Sequence, residues 1–208
     1  MSMNRWSPEG RRRRQRLPGE QRYRQLLDVA ISVFAQVGYS KAGTSDIAKA
    51  AGVAEPTIYR HFSSKHELFL VALRKAWEQV LDAWREMAAA SADPATALKS
   101  IARSFYGEMK GRPDLVLAYL RASQEADEPE VREAARDILL EAHNFIRDLY
   151  RRAQGEGQFA AKLDPETQAW LFLGMGHLML AAQALDLWDQ LPESRLDSAV
   201  EQIVYGKG

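Results

Sequence analysis

The 208-residue sequence contains no cysteine, which excludes disulfides, thiolate metal sites and cysteine nucleophiles and removes any need for an oxidising compartment. Histidine is scarce: only His61, His66, His143 and His177 are present, and no HxxxH or HExxH pair aims two imidazoles at one metal. Neither a metal site nor a cofactor is expected. No apolar run approaches the roughly 18 residues of a membrane span, and the arginine-rich start lacks the apolar segment of a signal peptide. The expectation is a cytoplasmic protein without a membrane partner. Sustained period-2 alternation is missing, so strands are not expected. GxSxG and Walker A motifs are missing too. The stretch GEGQFA at 155–160 has the glycine spacing of a phosphate loop, but no strand precedes it and it reads as a helix terminus. An enzyme is not expected.

Charge is present in equal amounts of both signs, 28 basic and 28 acidic residues, but unevenly placed. Residues 1–65 hold 12 Lys and Arg against 5 Asp and Glu, a surplus of +7, which leaves −7 for residues 66–208. A basic front and an acidic back point to a polyanion partner for the N-terminal part alone. Residues 1–19 carry RRRRQR, Pro8, Pro18 and Gly19, with too few apolar side chains to offset the entropy of ordering. They read as a flexible arm, either a solvated tail or a segment that follows DNA phosphates or a minor groove.

From Glu20 the pattern becomes helical, with Leu27, Ala30, Ile31 and Phe34 at the spacing of one buried stripe. Gly38 suits the left-handed turn that ends such a helix. In TSDIAKAAG, Thr44 is placed to cap, Asp46 to complement the helix N-terminus, and Ile47, Ala48 and Ala51 to form a narrow apolar face that stops at Gly52. A third helix is expected over 55–62, with Pro56 in its first turn. SKHE at 64–67 reads as a capping box, in which Glu67 reaches back to the helix start. It opens a long helix whose stripe runs through Phe69, Ala72, Leu73, Ala76, Val80, Ala83, Trp84 and Met87. Further helices are expected over 94–110, 113–124, 129–154, 165–189 and 193–205, separated by Gly and Pro. The fold class is all-α.

Two short helices joined at Gly52 and braced by a longer first helix have the form of a helix-turn-helix. Ile58 and Phe62, four apart, must face inward with Val53, which leaves Glu55, Pro56, Thr57, Tyr59, Arg60 and His61 largely outside. That outer face carries a phenol, a hydroxyl, an imidazole and a guanidinium on a rod that fits a major groove, groups that bond phosphates and base edges. Taken singly, each is more often a packed side chain, and Lys65 alone would be a surface cation. Their joint placement favours double-stranded DNA as the partner.

The run LLDVAISVFAQVGYSKAGTSDIAKAAGVAEPTIYRHFSSKHELF, within residues 22–70, resembles the N-terminal DNA-binding domain of TetR-type transcriptional repressors. Beyond the arm at 1–19, the resemblance implies a helix-turn-helix domain at 20–66 and a helical ligand-binding and dimerisation domain at 67–208. It implies a homodimer whose operator affinity is lowered by a small-molecule effector. By position, Thr44 resembles a phosphate anchor, Thr57 and Tyr59 fall where the family contacts backbone and base edges, and His61 and Lys65 fall at phosphate contacts. Arg60 stands at a variable position and is assigned to base reading, since arginine can bond guanine bidentately. Where many members carry a capping serine, this chain has Ala54 followed by Glu55 and Pro56. Glu55 then either sets sequence preference by accepting from a cytosine amine or points to solvent.

The acidic remainder supplies Trp84, Phe105, Tyr119, His143, Trp170 and His177 as candidate ligand-binding residues, although aromatic side chains at helical spacing are more often plain core. The segment from Ala169 to Leu187 is apolar on nearly all sides and should be covered everywhere. Gly174, Ala181 and Leu185, with the stripe Leu196, Val200 and Ile203, are spaced for two helices per subunit to pair about a two-fold axis. The alternative is that both helices complete the core of one subunit. The expected function is a DNA-binding transcriptional regulator, a repressor released from its operator by a small molecule. The rivals are a DNA-architectural protein and a small-molecule carrier.

Overall fold

The computed structural model describes residues 19–111, 118, 128–159 and 162–205. Among them no strand occurs. The chain forms α1 (Gly19–Val37), α2 (Thr44–Ala51), α3 (Glu55–Tyr59), α4 (Lys65–Ala90), α5 (Pro94–Gly111), α6 (Pro129–Gly155), α7 (Pro165–Ala184), a short 3-10 turn (Trp188–Gln190) and α8 (Glu193–Tyr205). The helix expected over 113–124 lies outside the described residues apart from position 118. No described helix is long and apolar enough to cross a membrane.

Punctuation is local and chemical. Gly38 and Gly52 take φ of 84° and 67°, a region that costs any side-chain-bearing residue steric strain, and each N–H closes back onto the helix it ends. The sequence DPAT at 93–96 and DPET at 164–167 start α5 and α7 in the same way. Asp93 and Asp164 accept from the backbone and hydroxyl of Thr96 and Thr167, and proline follows where its missing N–H costs nothing. These bonds hold both carboxyls below the usual range.

Three expected boundaries shift. The α-helix proper of α3 ends at Tyr59, although His61 and Phe62 still bond back to Ile58. Thr44 is the first residue of α2 and not its cap; the cap position is Gly43, whose N–H donates to Asp46. The helix expected to 189 stops at Ala184, because Asp186 adopts φ 54° and the Leu187 N–H returns to the Ala182 carbonyl. The box at 64–67 forms with a difference: Ser64 accepts from the Glu67 N–H, while the Glu67 carboxylate bonds Ser63, by hydroxyl and by backbone N–H.

Two apolar cores result. The first packs α1, α2, α3 and the start of α4, continues past residue 66 to Ala76, and takes in Val131, Ala135 and Ile138 from α6. The second gathers Leu81 and Trp84 of α4 with α5, the rest of α6, α7 and α8. Trp77 packs against both.

Candidate nucleic-acid interface and ligand cavity

The short α3 is held by its apolar side. Ile58 is 0% and Phe62 2% exposed, and the Tyr23 ring of α1 stacks on Phe62 at 5.1 Å between centroids. The opposite side is wet: Tyr59 is 52% exposed, and Arg60 is exposed and makes no ion pair with any described residue. Pro56 is exposed, while Thr57 and His61 are half-buried, with His61 beside Tyr23 at 6.1 Å. One helical turn therefore separates a buried grip from a polar outer surface.

Thr44, Glu55 and Tyr59 form a cluster that the sequence pattern does not reveal. The Thr44 hydroxyl donates to Glu55 Oε1 at 2.5 Å and lies 3.1 Å from the Tyr59 hydroxyl, bracing the start of α2 against α3. Glu55 is therefore half-buried and engaged within the protein through Oε1, not free in solvent. With its hydroxyl proton used, Thr44 retains a first-turn backbone N–H, which has no acceptor inside its own helix. Lys65 is also occupied: its ammonium donates to the Tyr39 carbonyl at 3.0 Å and sits 4.4 Å from that ring centroid. An ammonium has three donors, so this bond fixes the side chain without exhausting it.

Behind this head, α4, α5, α6 and α7 enclose a cavity of about 100 Å³. Trp84, Phe105 and His177 border it. Leu73, Trp77, Val80, Leu139, Phe172 and Met179 border it as well, and the sequence reading did not assign them to a site. The spacing of Leu73, Trp77, Val80 and Trp84 on one helical face was the available signal. Among the described residues of the wall, His177 is the one ionisable side chain; its Nδ1 lies 2.9 Å from the Leu173 carbonyl, which can only accept, so Nδ1 carries the proton. A smaller cavity of about 70 Å³ shares Met175 and Met179 with the first.

His143 and Trp170 do not border the cavity. His143 is buried, its Nε2 donates to the Glu166 carbonyl at 3.3 Å, and its ring lies 4.3 Å from that of Trp170, so the pair packs α6 onto α7. Tyr119 lies outside the described residues. Among the residues assigned to dimerisation, Gly174 and Ala181 are exposed and Leu185 is 67% exposed. Val200 is a correction: it is 2% exposed within the second core, so it fills one subunit and has no face left for another. Ile203 packs partly against the same core, and the Leu196 side chain lies outside the described ones. The apolar segment expected to be covered everywhere is not, since Leu171, Leu178 and Leu185 are more than half exposed.

Comparison with known proteins follows the same division. The family model for bacterial regulatory proteins of the tetR family matches residues 26–72. The chain is 38% identical over 97 residues to the HTH-type transcriptional activator FasR of Mycolicibacterium smegmatis, covering 47% of this chain and 44% of that protein. It is 24% identical over 153 residues to the fatty acid metabolism regulator protein of Bacillus subtilis, covering 74% and 78%. The chain thus spans under half the length of the first of these relatives and about three quarters of the second. The crystal structure of the regulator FadR from Bacillus subtilis, in complex with stearoyl-CoA, has the same fold, with TM-score 0.76 at 23% identity over 89% of this chain and 100% of that one.

Proposed function

We propose that the chain, whose residues 26–72 match the model for bacterial regulatory proteins of the tetR family, is a homodimeric, sequence-specific DNA-binding regulator of that family, released from its operator by a ligand with a long apolar chain. The observation that carries the reading is the orientation of α3. Ile58 and Phe62 are sealed in the head while Tyr59 and Arg60 face outward. The phosphate contacts are Thr44, His61 and Lys65, with Thr57, Tyr59 and Arg60 against backbone and bases, and Glu55 sets the rotamer of Thr44 and Tyr59.

The ligand class rests on the cavity wall, apolar apart from His177, and on the stearoyl-CoA in the structural neighbour. A cavity of about 100 Å³ is smaller than the roughly 300–1,000 Å³ of small-molecule sites, so a long chain must displace its neighbours. Met175 and Met179 border both this cavity and the second one and are unbranched, adaptable side chains. Their rotation joins the two.

Dimerisation is supported by the stripe Leu171, Gly174, Leu178 and Ala181 along α7, continued by Leu185 just past its end, all exposed at alternating steps of three and four residues. A contiguous apolar stripe of this kind marks an interaction surface. Two-fold pairing there sets the separation of the two α3 helices, which must approach one DNA turn, roughly 34–36 Å, or a multiple of it. A ligand that changes this separation lowers affinity without touching a contacting residue, and a hundredfold loss needs only about 2.7 kcal/mol of coupling.

The test is fluorescence anisotropy on labelled DNA from upstream of the protein's own gene, against random DNA of equal length, with and without stearoyl-CoA. The expected result is selective binding weakened by the ligand. Equal binding to both DNAs returns the architectural reading, and no binding to either ends the proposal.

A further inference from the structure

Resting on that reading, we propose that Glu130 and Glu141 are positioning residues, the two rungs of a ladder that locks α4 in register against α6 and carries ligand occupancy to the DNA-binding head. At the first rung, His66 Nδ1 lies 3.2 Å from the Tyr39 hydroxyl and its Nε2 bonds the Glu130 carboxylate. At the second, Trp77 Nε1 donates to Glu141 at 2.9 Å, and Arg74 holds the same carboxylate through two nitrogens at 2.8 and 3.3 Å.

The spacing of the rungs is what makes them one device. His66 and Trp77 are eleven apart on α4, Glu130 and Glu141 eleven apart on α6, and each rung joins residues 64 apart in sequence. Eleven residues are close to three turns at 3.6 per turn, so both rungs leave the same face of each helix and the helices run parallel. A slide of α4 by one residue is about 1.5 Å, and because both rungs join the same two helices it stretches and misaligns them together.

Each rung ends on a different functional surface. Trp77 borders the cavity, where Leu139 and Ala142 flank Glu141 from the α6 side, and its ring meets Trp84 edge-on at 5.6 Å. A chain that enters there must press on Trp77 and turn its N–H from Glu141. At the other end, Tyr39 meets both His66, through its hydroxyl, and Lys65, through its carbonyl, so the first rung holds α6 against the residues that fix the proposed phosphate contact. The head and the cavity are thereby coupled through one rigid helix, with the opposing helix as the reference against which it moves. This is the physical requirement for allostery: a packed contact with discrete arrangements that both sites bias.

Glu141→Gln removes the charge that Arg74 and the Trp77 N–H share, at a position that does not border the cavity; Glu130→Gln weakens the first rung on an exposed carboxylate. For each, stearoyl-CoA affinity, followed by tryptophan emission or calorimetry, is expected to stay within about twofold, while the ratio of DNA affinities without and with stearoyl-CoA falls roughly five- to tenfold. The double variant is expected to be no worse than either single one, because the rungs fail together. An unchanged ratio in the single variants, or effects that multiply in the double, overturns the ladder. If the wild-type protein binds stearoyl-CoA or DNA without any mutual effect, the functional reading fails, and the ladder is judged on thermal unfolding of the same four proteins without ligand: non-additive shifts uphold the register lock and additive shifts overturn it.

Discussion

The helices α3 and α7 solve opposite problems. Five residues long, α3 buries Ile58 beside Phe62 and exposes Tyr59 and Arg60, so its two sides differ in chemistry and only one way of docking is stable. From Ala169 onward α7 is apolar on nearly all sides, and packing covers Ala169, Phe172, Met179 and Ala182 while leaving Leu171, Leu178 and, just past the helix end, Leu185 outside. A helix with two unlike faces announces which one is free, whereas a uniformly greasy helix announces only that it wants cover on all sides. The polar surface of α3 is suited to a charged, hydrated partner, and the surface left over on α7 to a second apolar one.

The sharpest way to break that comparison is to charge the free side of α7. Leu178→Glu with Leu185→Glu changes side chains that are 61% and 67% exposed, so the subunit fold should survive. The expected outcome is a monomer by light scattering and, with the second head no longer tethered, a loss of DNA affinity of about two orders of magnitude or more. Next in size is the contrast within α3: Phe62→Ala should cost about 3–5 kcal/mol in chemical denaturation, whereas Tyr59→Phe should leave stability within about 1 kcal/mol and act on DNA binding. Equal destabilisation by both would mean the two sides of α3 are not distinct. Arg60→Ala should relax preference at one base pair by about 1–3 kcal/mol, read from a footprint series over base variants. The smallest effect concerns the start of α4. Bonds from the Ser63 hydroxyl and then its backbone N–H hold the Glu67 carboxyl below its ordinary value of 4.5. A depressed carboxyl stabilises the fold above its unfolded value and loses that contribution as pH falls through the folded one. Glu67→Gln should therefore flatten the acid side of the melting-temperature profile and lower it near neutrality.

Most of the head is legible residue by residue. The α1 stripe, the turns at Gly38 and Gly52 and the inward pair Ile58 and Phe62 all follow from 3.6-residue periodicity and from glycine's tolerance of positive φ. The contacts of Thr44 and Glu55 within the protein are not legible from local rules. Local rules offer a threonine before an apolar run the role of cap, but Gly43 takes that position, and the hydroxyl is claimed by a carboxylate eleven residues on. The cavity was half legible. Trp84, Phe105 and His177 are on its wall, while His143 and Trp170 pair with each other at the joint of α6 and α7. Nothing in the sequence distinguishes an aromatic side chain facing a void from one facing another ring.

By itself the sequence determined the helical class, the glycine stops at Gly38 and Gly52, the basic front, and which side of α3 turns inward, because these depend on residues within a few positions of one another. Tertiary structure alone decided that Trp77 meets both Glu141 and the cavity, that His66 reaches Glu130, that Val200 is interior, and which flank of α7 stays open. Those outcomes depend on how segments tens of residues apart pack, and side-chain volume and approach angle govern that packing without leaving a periodic trace along the chain.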